Sequence, residues 1–354
     1  MSALNSRKPR VLFVLGTQTW LSWILPSLES AAYEPFVCTW DIDVAMPEEL
    51  QDGQFDGIIF VSHHLTTQRD AEIAPRWRNS IAQSLSAASL AFDKRKMASI
   101  AEGVSGVEPL PEFDAHEAQM WIRRRPGRAI IAKKIGETEG RGIAVFESEE
   151  GLGAFVESEY DTSYILQPFV IGHELSVNVV GAGGRAHFYP TVYKGVNARP
   201  LVHAAARRRV CPGHRFANVD VGRIERVSRD IVDAIDGKCL VEIEYIDTGE
   251  DLFLVEINPR LAASLRMSMA ADGVNAFEFL AAECLGLRYP HDLGSVKECV
   301  SIEYPLRSYI SASQKHRLLR IGDVQVSSRI TVTNSSLAGL REHANAVLDV
   351  LEHR

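Results

Sequence analysis

The sequence lacks a long apolar run. Among its 354 residues, 46% hydrophobic and 24% charged, no stretch approaches eighteen consecutive uncharged apolar residues, so we expect no transmembrane helix and no membrane partner. A basic N-terminal stretch precedes an apolar run of about six residues that begins at Val11, which is shorter than the apolar core of a secretion signal. We interpret that run as a first β-strand.

Cysteine is scarce and scattered. The five cysteines, at positions 38, 211, 239, 284 and 299, form no CxxC pair and no metal-ligand spacing, which is typical of a reduced cytoplasmic protein. The formal net charge of −8 argues against a nucleic-acid partner. Small anionic ligands stay open, because they respond to local charge rather than to the total.

The first part of the chain alternates strand and helix patterns. A buried strand at 10–15 is followed by an apolar helix at about 20–32 and by strands at EPFVCTW and GIIFVS, which predicts a small parallel α/β domain. In such sheets ligands bind at the strand-end loops, here Gly16–Gln18 and Ser62–His64. No GxGxxG follows the first strand, which argues against a dinucleotide-binding domain.

The organisation changes near residue 92, so we predict domains at 1–91 and 92–290 and a C-terminal part at 291–354. The middle region is expected to contain helices at DKRKMASIAEG, 149–158 and about 218–236, strands at AIIAKKIG, IAVFES, YILQPFV, ELSVNVVG, HFYPTVYKG, CLVEIEYI and LFLVEINP, and a basic loop at ARRRVCPG. The C-terminal part is expected to complete this region or to form an accessory cap.

The last two of these strands flank the polar turn DTGED and predict an antiparallel hairpin. If the turn centres near Glu250, Glu244 lies opposite Glu256 and Glu242 lies opposite Asn258. Strand alternation further predicts two faces of the second strand. The core face would carry Phe253, Val255 and Ile257, and the polar face Leu254, Glu256 and Asn258.

Two carboxylates directly opposite each other repel, and a cation between them removes that cost. Carboxylate and amide oxygens suit Mg²⁺ or Mn²⁺, which bind through one or two carboxylates plus substrate phosphates. The alternative is a solvent-facing strand whose glutamates point at water.

A metal-held polyphosphate also needs lysines and backbone N–H groups. The chain offers Lys94 in FDKRKM, Lys133 or Lys134 at a strand end, and a glycine-bearing loop, 136–142, that could close over phosphates. Each signal alone is weak, because a single lysine is usually a solvated surface residue.

The order of these segments resembles the ATP-grasp superfamily of carboxylate–amine ligases over residues 92–290. AIIAKKIGETEGRGIAVF is similar to its lysine segment and glycine-rich loop, YILQPFVIGHELSV to its interdomain linker, and EINPR to its metal-binding strand. The resemblance implies an α/β (α+β) ATP-grasp fold behind an N-terminal Rossmann-like pre-ATP-grasp domain. It also implies ATP and Mg²⁺ (or Mn²⁺) as cofactors.

The resemblance assigns roles residue by residue. Phosphates would be bound by Lys94, Lys133, Gly140 and Gly142, the adenine by the backbone around Gln167, Phe169 and Val170, the ribose by Glu174, and the metals by Glu244, Glu256 and Asn258. Arg260 would steady the transferred phosphoryl group or the acyl phosphate, and Lys133 would assist catalysis. Lys134 stands where the family usually has proline, so Lys134 is the competing phosphate lysine.

This set implies a ligase that converts a small-molecule carboxylate to an acyl phosphate, releases ADP and phosphate, and lets an amine attack to form an amide or peptide bond. Amino acids are candidate substrates, and the family also allows a homodimer. Carboxylase-type chemistry, a carboxylate–thiol reaction and a non-catalytic nucleotide-binding module are the alternatives. The sequence does not decide which of Arg207, Arg208, Arg209 and Arg266 contact substrate.

Overall fold

The computed structural model describes residues 7–19, 21–51, 53–90, 93–137, 140–289, 299–305, 311–318, 320–321, 324–326 and 329–352. Three sheets organise these residues. In this part of the chain, no helix combines the length and the apolar character needed to cross a bilayer.

The first sheet is parallel, with the order β2-β1-β3-β4. Its strands are β1 (Arg10–Leu15), β2 (Glu34–Thr39), β3 (Gly57–Val61) and β4 (Ser80–Ile81), and its helices are α1 (Leu21–Ser27), α2 (Thr67–Ile73) and α3 (Leu85–Ala88). The predicted parallel α/β unit is therefore present. Helix α1 is shorter than expected and contains Pro26 in its last turn, where a proline disfavours continuation.

The second sheet is antiparallel, with the order β6-β5-β7. It consists of β5 (Ile130–Lys134), β6 (Ile143–Phe146) and β7 (Tyr164–Pro168), and α4 (Lys96–Glu102), α5 (Ala115–Arg123) and α6 (Glu149–Ser158) belong to the same part of the chain. Asp114 and Glu117 form a capping box that starts α5, and Ser148 caps α6. Helices α5 and α6 pack their apolar faces on this sheet.

The third sheet has nine strands in the described part of the chain, with the order β13-β12-β8-β10-β11-β14-β16-β15 and β9 beside β8. The bounds are β8 (Gly172–Ala182), β9 (Arg185–Phe188), β10 (Val192–Asn197), β11 (Arg209–Cys211), β12 (Cys239–Asp247), β13 (Leu252–Asn258), β14 (Val300–Pro305), β15 (Val324–Val326) and β16 (Arg329–Asn334). The helices here are α7 (Val221–Ala234), α8 (Leu265–Asp272), α9 (Ala276–Leu285), α10 (Ala312–Leu318) and α11 (Leu337–Glu352).

Two sequence-based expectations fail in this sheet. The single strand expected at HFYPTVYKG is divided into β9 and β10, because Pro190 between them has no N–H to donate to a ladder. The segment expected as a basic loop, ARRRVCPG, contains β11. That three-residue strand pairs with both β10 and β14 and so joins the C-terminal strands to the rest of the sheet.

The packing of the large sheet separates a core face from a polar face. Helix α7 buries Ile224, Val227 and Ile231 against Ile243 and Tyr245 of β12. The opposite side chains of β12 face the cavity described below. The predicted boundaries near residues 91 and 291 remain predictions, although the described tail strands β14 to β16 continue the same sheet.

Candidate active site

A cavity lies between the second and third sheets. Eight of the residues chosen from the sequence line it: Lys94, Lys133, Gln167, Phe169, Val170, Glu174, Glu244 and Glu256. They come from five separate segments of the chain, so the fold brings together what the sequence separates. Gly140, Gly142, Asn258 and Arg260 are not part of the lining and are described below.

Strand β5 decides between the two candidate lysines. Lys133 is buried, lines the cavity and donates from Nζ to Gln167 Oε1 at 3.0 Å. Burial, and then the neighbouring charge of Lys94, lower the pKa of Lys133 to about 8, although the carboxylates of the site act to raise it. Lys134 points to the other face of β5 and lies 5.7 Å from the ring centre of Tyr164. The structure thus favours the predicted Lys133.

Lys94 reaches the carboxylate hairpin from the segment before α4. Its Nζ lies 3.4 Å from Glu256 Oε1 and donates to the carbonyl of Glu137 at 3.2 Å. The same ammonium group therefore contacts the predicted metal carboxylate and the start of the glycine-bearing loop. A phosphate bound in this cavity would lie beside a cation already held in place.

The hairpin register is the predicted one. Glu244 pairs with Glu256 and Glu242 pairs with Asn258 across β12 and β13. The predicted core face is partly wrong, because a β-bulge at Val255 inserts one extra residue and reverses the alternation on one side of it. Leu252, Leu254 and Ile257 therefore form the core face, and Val255 lines the cavity.

A buried lysine holds two of the hairpin carboxylates. Lys194 on β10 is 2% exposed, and its Nζ lies 3.1 Å from Glu242 Oε1 and 3.0 Å from Glu244 Oε1. Ser264 donates a further hydrogen bond to Glu242 at 2.5 Å. We call Glu242, Glu244, Glu256 and Lys194 the acidic cluster.

The two buried carboxyls of this cluster differ in pKa. Burial raises the pKa of Glu242, but Lys194, the Ser264 hydroxyl and Arg209 outweigh burial and hold it below its ordinary value. For Glu244, burial and the repulsion of Glu242 and Glu256 outweigh Lys194 and raise the pKa to about 8. Glu244 is therefore a carboxyl short of positive charge.

Asn258 and Arg260 lie at the end of β13. Asn258 Nδ2 faces Glu244 Oε1 at 3.4 Å and Glu242 Oε2 at 3.5 Å, and Arg260 Nη2 donates to Asn258 Oδ1 at 3.0 Å. The Arg260 guanidinium is thus oriented by the same amide that faces the carboxylates. Burial, then His64 and then the charge of Arg260 lower the pKa of His63 to about 4. Because His63 follows β3, the end of the first sheet lies near Arg260.

The residues of the predicted base and ribose site lie on the other side of the cavity. Phe169 is buried, and the Val170 carbonyl accepts from Asn197 Nδ2 at 3.0 Å. Glu174, the predicted ribose ligand, forms an ion pair with Arg207. A ribose at Glu174 would therefore share that carboxylate with Arg207.

The glycine loop contacts a residue that sequence reasoning missed. Gly140 and Gly142 have φ values of +79° and +64°, a conformation that favours glycine. A Cβ at Gly140 would lie 2.5 Å from the ring of His203, and His203 lines the cavity. Asn197 and His203 precede β11 and carry no motif, so no sequence pattern could have identified them.

The four arginines that the sequence offered as substrate contacts have different partners in the structure. Arg207 pairs with Glu174, and Arg208 lies over the Tyr304 ring at 5.9 Å. Arg209 and Arg266 approach Glu303, which has no motif and was not predicted. Of the four, Arg207 lines the cavity directly.

The donor set at the hairpin fits a divalent cation. Glu244 and Glu256 face each other with Asn258 alongside, and the raised pKa of Glu244 indicates a local deficit of positive charge. No group of three or more His, Cys, Asp or Glu side chains in the described ranges is arranged to hold a metal ion by itself. The two facing carboxylates suit a metal that also binds phosphate oxygens, as Mg²⁺ does. Asn258 would join them through Oδ1, which in this structure accepts from Arg260 instead.

A protein-family model described as an ATP-grasp domain matches residues 91–264. The chain carries an ATP-grasp domain. The resemblance noted in the sequence is thereby confirmed, and the mixed α/β fold is confirmed by structural likeness to solved proteins with this architecture.

Known relatives in sequence are much longer proteins. The chain is 19% identical over 206 residues to the carbamoyl phosphate synthase large chain of Agathobacter rectalis, an overlap of 56% of this chain and 19% of that one. The same protein of Clostridium acetobutylicum is 22% identical over 204 residues, 55% of this chain and 19% of that one. The chain thus spans about a fifth of the length of these relatives.

Solved structures match the chain nearly end to end. The carboxyaminoimidazole ribonucleotide synthase of Aspergillus clavatus, solved with ATP, has a TM-score of 0.74 at 16% identity and covers 98% of both chains. The biotin carboxylase domain of the Hydrogenobacter thermophilus 2-oxoglutarate carboxylase, solved with MgADP and bicarbonate, has a TM-score of 0.64 at 13% identity, covering 83% and 74%. At these identities the likeness establishes the fold.

Proposed function

We propose that this protein is an ATP- and Mg²⁺-dependent ligase that activates a small-molecule carboxylate as an acyl phosphate for attack by an amine. The observation that supports this most is the convergence of Lys94, Lys133, Glu244 and Glu256 on one cavity from separate segments. Two cations and two carboxylates in one enclosed site suit a metal-held polyphosphate better than any single charge would.

In this proposal the adenine lies along Gln167–Val170, Glu174 binds the ribose, and Lys94 and Lys133 bind phosphates. Glu244, Glu256 and Asn258 would hold the metal, which neutralises charge on the transferred phosphoryl group. The substrate carboxylate oxygen attacks the γ-phosphorus, and the bond to ADP breaks. Arg260, oriented by Asn258, would stabilise the anion formed at that point.

The amide forms in a second step. The amine nitrogen attacks the acyl carbon, the carbon–oxygen bond to phosphate breaks, and phosphate leaves with the bonding electrons and accepts the proton that the amine nitrogen loses. No serine–histidine pair is needed, because the acyl phosphate is already a reactive species. The chain contributes mainly position and charge.

A second candidate is a carboxylase-type reaction in which bicarbonate takes the place of the carboxylate. The likeness to a biotin carboxylase domain solved with bicarbonate favours it. Both candidates release ADP, and bicarbonate dependence separates them.

The deciding experiment measures ADP and AMP release from Mg-ATP with pooled amino acids, dipeptides, small carboxylic acids and bicarbonate. Glu256→Gln should lower substrate-dependent ADP release ~100-fold or more, because it removes a metal carboxylate at the reacting phosphate. Glu250→Gln is the matched control, since Glu250 is exposed in the turn of the same hairpin.

Release of AMP would contradict the acyl-phosphate mechanism. Near-normal turnover by Glu256→Gln would contradict the metal assignment. ATP binding without any turnover across the pools would support the non-catalytic module instead.

A further inference from the structure

The basic end of the large sheet contains a second buried charge cluster. Three arginines surround Glu303 of β14, which is fully buried. Arg266 on α8 lies 2.7 Å from it, Arg329 on β16 lies 2.6 Å from it, and Arg209 on β11 lies 3.9 Å from it. We call these four residues the arginine cluster.

Arg209 is the incompletely paired member of the cluster. Its contact with Glu303 exceeds hydrogen-bond distance. Although Arg209 is only 8% exposed, its Nε has no hydrogen-bond partner among the described residues. The buried Nε atoms of Arg207 and Arg266 also have no hydrogen-bond partner among the described residues, but these two guanidinium groups donate through Nη2 to Glu174 and Glu303. Of these three arginines, Arg209 is the one with no carboxylate within hydrogen-bond distance, and buried guanidinium groups are normally satisfied, which indicates a missing partner.

Arg209 also lies beside the proposed active site. The antiparallel register that pairs Tyr193 with Val210 places Lys194 next to Arg209, and Lys194 binds Glu242 and Glu244. The positive charge of Arg209 helps to lower the pKa of Glu242. It also opposes Glu242 and Glu244, which together raise the pKa of Lys194. The two clusters are therefore in direct electrostatic contact.

The spacing of the strands gives the distance between the acidic cluster and Arg209. Three strand steps, β12 to β8 to β10 to β11, separate Glu244 from Arg209, or ~14 Å between backbones at about 4.8 Å per step. The long side chains of Glu242, Lys194 and Arg209 shorten that span. A small molecule of that length, entering beside the acidic cluster, would place its far end near Arg209, which does not itself line the cavity.

We propose that Arg209 binds a second anionic group of the acid substrate, so that the substrate class is an acid with a carboxylate or phosphate at its far end. This inference rests on the proposed ligase function. The guanidinium fork matches the geometry of either anion. Arg207 and Arg208 differ from it, because Arg207 is already paired with Glu174 and Arg208 is exposed to solvent.

The test is calorimetric binding to protein saturated with Mg²⁺ and the non-hydrolysable analogue AMP-PNP, which fills the phosphate positions. The ligands are α,ω-dicarboxylates from malonate to sebacate with monocarboxylates of equal length, and L-glutamate and O-phospho-L-serine with L-glutamine and L-serine. We expect at least one doubly anionic ligand to bind ~10-fold or more tightly than its matched partner.

Arg209→Met should abolish that preference without changing the AMP-PNP dissociation constant. Arg209→Lys, which keeps the charge but loses the fork, should retain part of it. Arg208→Met is the matched control and should behave as wild type.

The inference is overturned if no doubly anionic ligand is preferred by the wild-type protein, a comparison that needs no variant. It is also overturned if Arg209→Met or Arg209→Lys keeps the full preference. Failure of the wild-type protein to bind AMP-PNP with Mg²⁺ would instead count against the proposed function.

Discussion

The acidic cluster and the arginine cluster are opposite arrangements on neighbouring strands. In the first, two carboxylates, Glu242 and Glu244, share one buried lysine, Lys194, and Glu256 lies opposite Glu244. In the second, three arginines surround one buried carboxylate, Glu303. Both clusters bury like charges around a single opposite charge, which is stable only with close pairing or with a further ligand.

The difference lies in what each cluster is short of. Burial first, and then the repulsion of Glu242 and Glu256, raise the pKa of Glu244 despite Lys194, so the acidic cluster would be stabilised by an added proton or cation. Burial and the charge of Arg209 lower the pKa of Arg329 to about 10 despite Glu303, so cations crowd in the arginine cluster. One sheet face therefore places buried carboxylates beside buried guanidinium groups, an arrangement that suits the proposed enzyme, which would join a metal-bound phosphate to an acidic substrate.

The largest effect is expected where the acidic cluster loses its cation. Lys194→Met leaves Glu242 and Glu244 buried without their shared partner, so unfolding free energy should fall by about 3–5 kcal/mol. Urea unfolding measures this. Lys238→Met, at an exposed lysine with a surface ion pair, should change stability by less than about 1 kcal/mol. Equal effects of the two substitutions would refute the central role of Lys194.

The corresponding change in the arginine cluster is Glu303→Gln. It keeps hydrogen-bonding capacity but leaves three buried guanidinium groups without their carboxylate, so we expect a loss of about 3 kcal/mol. AMP-PNP affinity should stay within a few-fold, because Glu303 does not line the nucleotide cavity. Glu342→Gln on the exposed side of α11 is the control. A large loss of nucleotide binding with normal stability would place Glu303 in the nucleotide site.

The acidic cluster could be predicted because its carboxylates lie on one hairpin. Glu244 and Glu256 are joined by a turn that the sequence marks, so local spacing predicts their register correctly. The bulge at Val255 could not be predicted from alternation, because one inserted residue reverses which side chains are buried. The order of the motif segments along the chain was enough to predict the family and the fold.

The arginine cluster could not be predicted, because its members come from four elements that are neighbours only in the folded sheet. Arg209, Glu303 and Arg329 belong to β11, β14 and β16, and Arg266 to α8. Residue 209 also fell in an expected loop that contains a strand. No local pattern identifies Lys194 as the partner of the hairpin carboxylates, because the fold alone brings β10 beside β12 through β8.

The smallest expected effect distinguishes the clusters by the sign of their pH dependence. Glu244 has a folded-state pKa of about 8 against an ordinary 4.5, so between those values the folded state holds a proton that the unfolded state has lost. Its contribution to stability therefore falls as pH rises through that window. Arg266, Arg209 and Arg329 outweigh burial and lower the pKa of Glu303, so its contribution is lost as pH falls below about 4.5.

Thermal unfolding from pH 3 to 8 without Mg²⁺ should separate these two contributions. Burial lowers the pKa of His63 and His203, and these groups act in the opposite direction near neutral pH, so each variant must be compared with wild type. Glu244→Gln should gain a few degrees relative to wild type as pH rises from 5 to 8, because the glutamine cannot lose a proton. Glu303→Gln should instead lose less than wild type below pH 4.5. If the curve of Glu244→Gln runs parallel to that of wild type from pH 5 to 8, Glu244 already has enough positive charge without a metal, and the contrast between the clusters disappears.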